Sequence, residues 1–133
     1  MTADEATVEI TWGGDERAFR LGIAELIALQ DKRDSGPTEI LERLFQNRWR
    51  VEDLQEIVRL GLIGAKIEGR KARELVEQHV TEGRLLESVL VAQAILAAAV
   101  QGRPGDPVGK AGADAENPET AVSPQPPSTD RVQ

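Results

Sequence analysis

Between Glu87 and Arg103 the chain carries no charged side chain, and a helix from Arg84 to about Gln101 would hold Leu85, Leu86, Val89, Leu90, Val91, Ile95, Leu96 and Val100 around most of its circumference. A transmembrane helix needs about 20 apolar residues, so this stretch is too short to span. It is therefore either the centre of a core or an interface helix. Complete burial is hard to arrange in a domain of roughly 100 residues, where most helices keep one face in water. Central burial and an interface role stand even on the sequence, with room for both on different faces, and an exposed strip would mark a partner site.

The preceding chain supplies helices to pack against it. Ile23, Leu26 and Ile27 stand at i, i+3 and i+4 in a segment from Ile23 to Lys32, closed by the charged run Asp31-Lys32-Arg33-Asp34 and the breaker Ser35-Gly36. Pro37 suits a first helical turn, after which Ile40, Leu41, Leu44 and Phe45 form a stripe up to Asn47. Glu52 and Asp53 sit where a helix N-terminus favours negative charge, followed by Leu54, Ile57, Val58 and Leu62 toward Gly64. Gly61 within that helix costs about 1 kcal/mol relative to Ala, which implies either a close packing contact, the favoured reading, or a bend. A fourth helix, about Gly69 to Glu82, puts Ala72, Leu75, Val76, His79 and Val80 on one face, and Gly83 is expected to end it.

Ahead of the helices, Thr7-Val8-Glu9-Ile10-Thr11-Trp12 alternates with Val8, Ile10 and Trp12 on one face. Gly13-Gly14-Asp15 reads as a turn, and Glu16 to Leu21 as a returning strand with Ala18 or Phe19 on the apolar side. A lone hairpin is marginal in water, so this one must lie on the helices or pair with another chain. At the other end, six of the seven prolines lie beyond Gly102, where the large aliphatics are Val108, Val122 and Val132. Such a segment cannot bury enough apolar area to offset its ordering entropy. The expectation is a mainly α fold with an N-terminal β-hairpin, a small α+β bundle of four to five helices over residues 7–101, flanked by disordered segments 1–6 and 102–133.

Composition then excludes several functions. Cysteine is absent, so disulfides and thiolate metal sites are ruled out, and the residues after Met1 lack the basic start and apolar core of a secretory signal, which points to an intracellular protein. A net charge of −7 opposes binding to phosphate backbones and anionic lipid, and at 3% aromatic residues base-stacking platforms are scarce. The segment Val51 to Val80 resembles a helix-turn-helix in outline. Its second helix, however, opens with Arg70, Lys71 and Arg73 and continues with Glu74, Glu77 and Glu82, a pattern that repels DNA. A single histidine, His79, makes no metal site and is expected to pack at a core boundary. Phosphate-loop, zincin and nucleophile-elbow motifs are all missing. No catalytic, metal or cofactor residue is assigned, and neither an enzyme nor a nucleic-acid or membrane binder is expected.

The arrangement as a whole resembles the small tail proteins of siphophages and gene transfer agents described as tail assembly chaperones. The resemblance runs from Val8 to Gly102. It is carried by the hairpin at Gly13-Gly14-Asp15, the Ile23-Ala24-Glu25-Leu26 helix, the Glu52-Asp53-Leu54 helix start leading to Leu60-Gly61-Leu62-Ile63-Gly64-Ala65, Ala72-Arg73-Glu74-Leu75-Val76 and the apolar last helix. It implies a non-enzymatic protein that binds the helical tape-measure protein and other tail proteins in the host cytoplasm, or one retained in the virion tail; the alternative outside the resemblance is a bacterial helical adaptor. A client helix would then lie beside Leu86, Val89, Leu90, Val91 and Ile95, with Val91 expected toward solvent. Self-association through the hairpin edge or the last helix is a further expectation.

Overall fold

The computed structural model describes residues 6–102. The expected disordered ends lie outside the described residues, apart from Ala6 and Gly102. Within them the chain is mainly α with an N-terminal hairpin: β1 (Thr7–Trp12), β2 (Asp15–Arg20), α1 (Ile23–Arg33), α2 (Pro37–Phe45), α3 (Val51–Gly64), α4 (Gly69–His79) and α5 (Leu85–Gln101).

The hairpin turns on Gly13-Gly14 alone, because Trp12 pairs with Asp15. Both glycines have positive φ, 65° and 87°, the signature of a type I′ turn whose twist matches that of the strands. Register then fixes the faces. Val8 pairs with Phe19 and Ile10 with Arg17, so it is Phe19 rather than Ala18 that joins the apolar side. Trp12 and Phe19 are fully buried and meet edge to face, with centroids 5.9 Å apart.

Beneath the hairpin lie two helices, α3 against β2 and α5 against β1. The approach of α3 depends on missing side chains. A Cβ on Gly64 would stand 1.8 Å from the Arg20 carbonyl oxygen, and one on Gly61 would stand 3.3 Å from Phe19 Cβ and 3.4 Å from Ile95 Cγ2. The close contact expected at Gly61 is thus made with a strand and with α5. The stripe Leu54, Ile57, Val58 and Leu62 is fully buried as its spacing predicts.

Three sequence-based expectations are corrected. On α1, Ile23 and Ile27 face water, 73% and 51% exposed, whereas Leu29 is buried and Leu26 partly so. The inward face runs through Leu26, Leu29 and Arg33, and Arg33 is drawn to Asp53 on α3. On α2, Ile40, Leu41 and Leu44 are buried but Phe45, the last helical residue, is 60% exposed. Finally α4 stops at His79, not near Glu82, and Gly83 sits with φ 85° in the turn that follows.

Asp53 is the electrostatic centre of the helical part. It is fully buried at the third position of α3, and its Oδ2 accepts the Arg50 backbone N–H at 2.8 Å. Its Oδ1 accepts Arg33 Nε and Arg43 Nη2, each at 2.8 Å, so one carboxylate ties α1, α2 and α3 together. Burial pushes its pKa up, but the hydrogen bonds from Arg33, the Arg50 backbone and Arg43, with the Arg43 charge, outweigh that and leave it below the ordinary 3.8.

A candidate partner-binding surface on the last helix and the hairpin

The first turn of α5 holds the hairpin tip. Trp12 Nε1 donates to the buried Ser88 Oγ at 3.2 Å, and the Gly13 N–H donates to Glu87 Oε2 at 3.0 Å. His79 closes the same corner, its ring edge-on to Trp12 with centroids 4.9 Å apart. It covers Gly13 so closely that a Cβ there would lie 2.7 Å from the imidazole. It is half-buried, the boundary position expected for it. Farther along, Gln93 Nε2 donates to the Leu44 carbonyl at 3.1 Å and fastens α5 to α2.

Between these two attachments one strip of α5 stays open. Leu86 is 69% and Leu90 56% exposed, Ala94 and Ala97 are partly exposed, and Val100 follows at 40%. At about 100° per residue, Leu86 lies on the opposite side of the helix from Ile95, the residue packed at Gly61 of α3. The open strip therefore looks away from α3.

Of the five residues assigned to partner binding from sequence, the structure leaves Leu86 and Leu90 on the surface. Val89 and Val91 are 3% exposed and Ile95 is fully buried, so the solvent-side expectation for Val91 is corrected. Ser88, three positions before Val91, reads from sequence as a polar side of the helix, whereas its hydroxyl turns inward to satisfy the Trp12 N–H. The usable signal is the i, i+4 pair Leu86 and Leu90, bracketed by Glu87 and Gln93, whose long polar side chains reach sideways to β1 and α2.

A second feature adjoins the strip. In a two-residue hairpin the pair beside the turn exchanges hydrogen bonds, so Trp12, Ile10 and Val8 bond to β2 while the N–H and C=O groups of Thr7, Glu9 and Thr11 point outward. By the same alternation Glu16, Ala18 and Arg20 point outward from β2. There the Arg20 carbonyl, at the end of the strand, meets Gly64 of α3. Among the described residues nothing bonds to the outward groups of Thr7, Glu9 and Thr11.

Other surfaces offer less. Among the described residues two open clefts, one among Lys32, Glu56, Arg59, Arg73, Val76 and Glu77 and one among Glu39, Glu42, Arg43, Arg48 and Arg50, are lined mainly by side chains of both charges rather than by the apolar walls of a small-ligand site. Among the described residues no three acidic or histidine side chains gather as a metal-binding group, and no helix is long and apolar enough to cross a membrane.

A comparison with protein families found a match. The model described as "Phage tail tube protein, GTA-gp10" matches residues 5–102, the hairpin and all five helices. No curated protein and no solved structure matches the chain.

Proposed function

The chain belongs to the phage tail tube protein, GTA-gp10 family, and from that membership we propose that it is a non-enzymatic structural subunit of a phage-type tail, associated with the tube and retained in the particle. The observation that supports this most is the pairing of an exposed apolar strip, Leu86 to Ala97 on α5, with an unpaired strand edge on β1. Both features serve contact with other proteins rather than chemistry on a bound molecule. A built-in subunit needs such surfaces, since stable interfaces bury on the order of 1,000 Å² or more.

One observation favours a second reading. Leu86 and Leu90 stand one helical turn apart, the spacing with which a helix grips another amphipathic helix. A tail assembly chaperone that binds the helical tape-measure protein in the host cytoplasm and then leaves would use the same strip. Mass spectrometry of purified particles separates the two. The chain at a fixed copy number per particle is the expected result. Its presence in assembling lysates but absence from finished particles would replace the structural subunit with the chaperone, and Leu90→Glu should then abolish tape-measure capture on co-expression.

A further inference from the structure

The strand edge and the α5 strip lie on the same side of the molecule. Of the two helices beneath the hairpin, α3 lies against β2 and α5 against β1, and the open strip of α5 faces away from α3. It therefore faces the side on which β1 has its unpaired edge. Any chain that continues the sheet at β1 brings whatever lies under its own strand toward Leu86 and Leu90.

From this arrangement we infer that the partner is a second copy of this chain, joined β1 to β1 about a two-fold axis. The result is a four-stranded antiparallel sheet, β2-β1-β1-β2, with the two α5 helices side by side beneath it. A second copy presents the same strand with the same helix below it, so one occupant covers both open features at once. It also terminates. A two-fold contact of β1 with β1 uses the same edge of both copies, so it closes at a dimer instead of propagating. The strand carries little of the usual edge protection: Thr7–Trp12 contains no lysine, no proline and no bulge, and its single charged side chain is Glu9.

Charge selects the register. Two antiparallel registers let the outward groups meet over five residues. One sets Glu9 opposite Glu9 of the partner copy, and like charges directly opposed are unfavourable. The other sets Glu9 opposite Thr11, twice by symmetry, brings Ile10 beside Ile10, and places Val8 beside Trp12. This second register extends the half-buried Val8 and Ile10 face across the dimer, and it is the one assigned. The inference rests on the hairpin and α5 alone, and stands whether or not the protein remains in a finished tail.

Sedimentation velocity on the full chain over a concentration series tests it, with three variants. The wild type should move from the 14.5 kDa chain toward twice that mass as concentration rises. Thr11→Glu sets two carboxylate pairs face to face across the dimer and should weaken association about tenfold or more. The double variant Glu9→Lys/Thr11→Glu restores opposite charges at both contacts and should regain it, with a dependence on salt. Glu16 faces position 11 within the hairpin in both variants, and equal melting temperatures of the two at concentrations below association assign the rescue to the contact between copies. Leu90→Glu should also weaken association while keeping the wild-type melting temperature at concentrations where both are monomers. A monomer at every concentration overturns the inference, as does a dimer unaffected by Thr11→Glu or one that the charge swap fails to restore.

Discussion

Replacing Asp53 with alanine should cost more than any other single loss of a charged group in this fold. The carboxylate is fully buried and accepts three hydrogen bonds at 2.8 Å, two from guanidinium groups and one from the α3 cap. Removing one partner of a buried ion pair costs about 3–5 kcal/mol, because the remaining charge is left without compensation. Here the lower end applies. Arg33 and Arg43 keep 17% and 18% side-chain exposure, so both can partly rehydrate. Loss of the cap adds about 0.5–1 kcal/mol, giving roughly 3–4 kcal/mol in all. Urea unfolding of Asp53→Ala, with Arg33→Met and the double variant completing a cycle, measures the total and the pairwise share. A total below about 1 kcal/mol, or an Arg33 coupling near zero, would mean that the three helices are held by their apolar faces alone.

The same carboxylate sets a pH dependence. Its folded pKa is depressed, so the stability it contributes is fully present above the ordinary value of 3.8 and drains away as pH falls through the lower folded value; acid titration of Asp53→Asn should lack that component. Gly64→Ala should be among the most damaging small substitutions, by about 3 kcal/mol or more, since its Cβ would overlap the Arg20 carbonyl, whereas Gly69→Ala, with open space around it, should be neutral or slightly stabilising in thermal melts. Val91→Glu should unfold or precipitate, because it buries a carboxylate in the core, while Leu90→Glu should melt like the wild type by circular dichroism. Ser88→Ala, which leaves the buried Trp12 N–H unpaired, should cost about 1–3 kcal/mol, and equal stability of variant and wild type would show that this bond contributes nothing.

Periodicity carried the fold wherever both neighbours of an element are apolar. The α3 stripe is legible for that reason: it faces β2 and α5 at once, and its apolar positions have nowhere else to go. At α1 the same spacing argument chose the wrong face. Ile23 and Ile27 satisfy the helical pattern as well as Leu26 and Leu29 do, and what decides between them is Arg33, whose partner lies twenty residues away. Long-range polar pairs of this kind leave no local trace. Ser88 and Val91 fail similarly, for a serine reads as a solvent marker until Trp12 is known to need an acceptor. Gly61, by contrast, was informative as a residue out of place in a helix, because a local cost implies a tertiary contact. The hairpin edge was legible as a strand without a partner, but which edge lies beside the open strip of α5 depends on where α3 and α5 pack beneath it.

The bonds from Trp12 to Ser88 and from Gly13 to Glu87 join positions 76 and 74 residues apart. On a ribosome adding about 5–20 residues per second, roughly 4–15 s separate the synthesis of the hairpin from that of the helix it must rest on. Throughout that interval Trp12 and Phe19 have no α5 to cover them, and the main-chain groups of both strands are open to any neighbouring nascent chain. The time at which this fold closes is therefore set by its last helix. Slow translation through the stretch between Asp15 and Leu85 would lengthen the exposure of the sticky end made first.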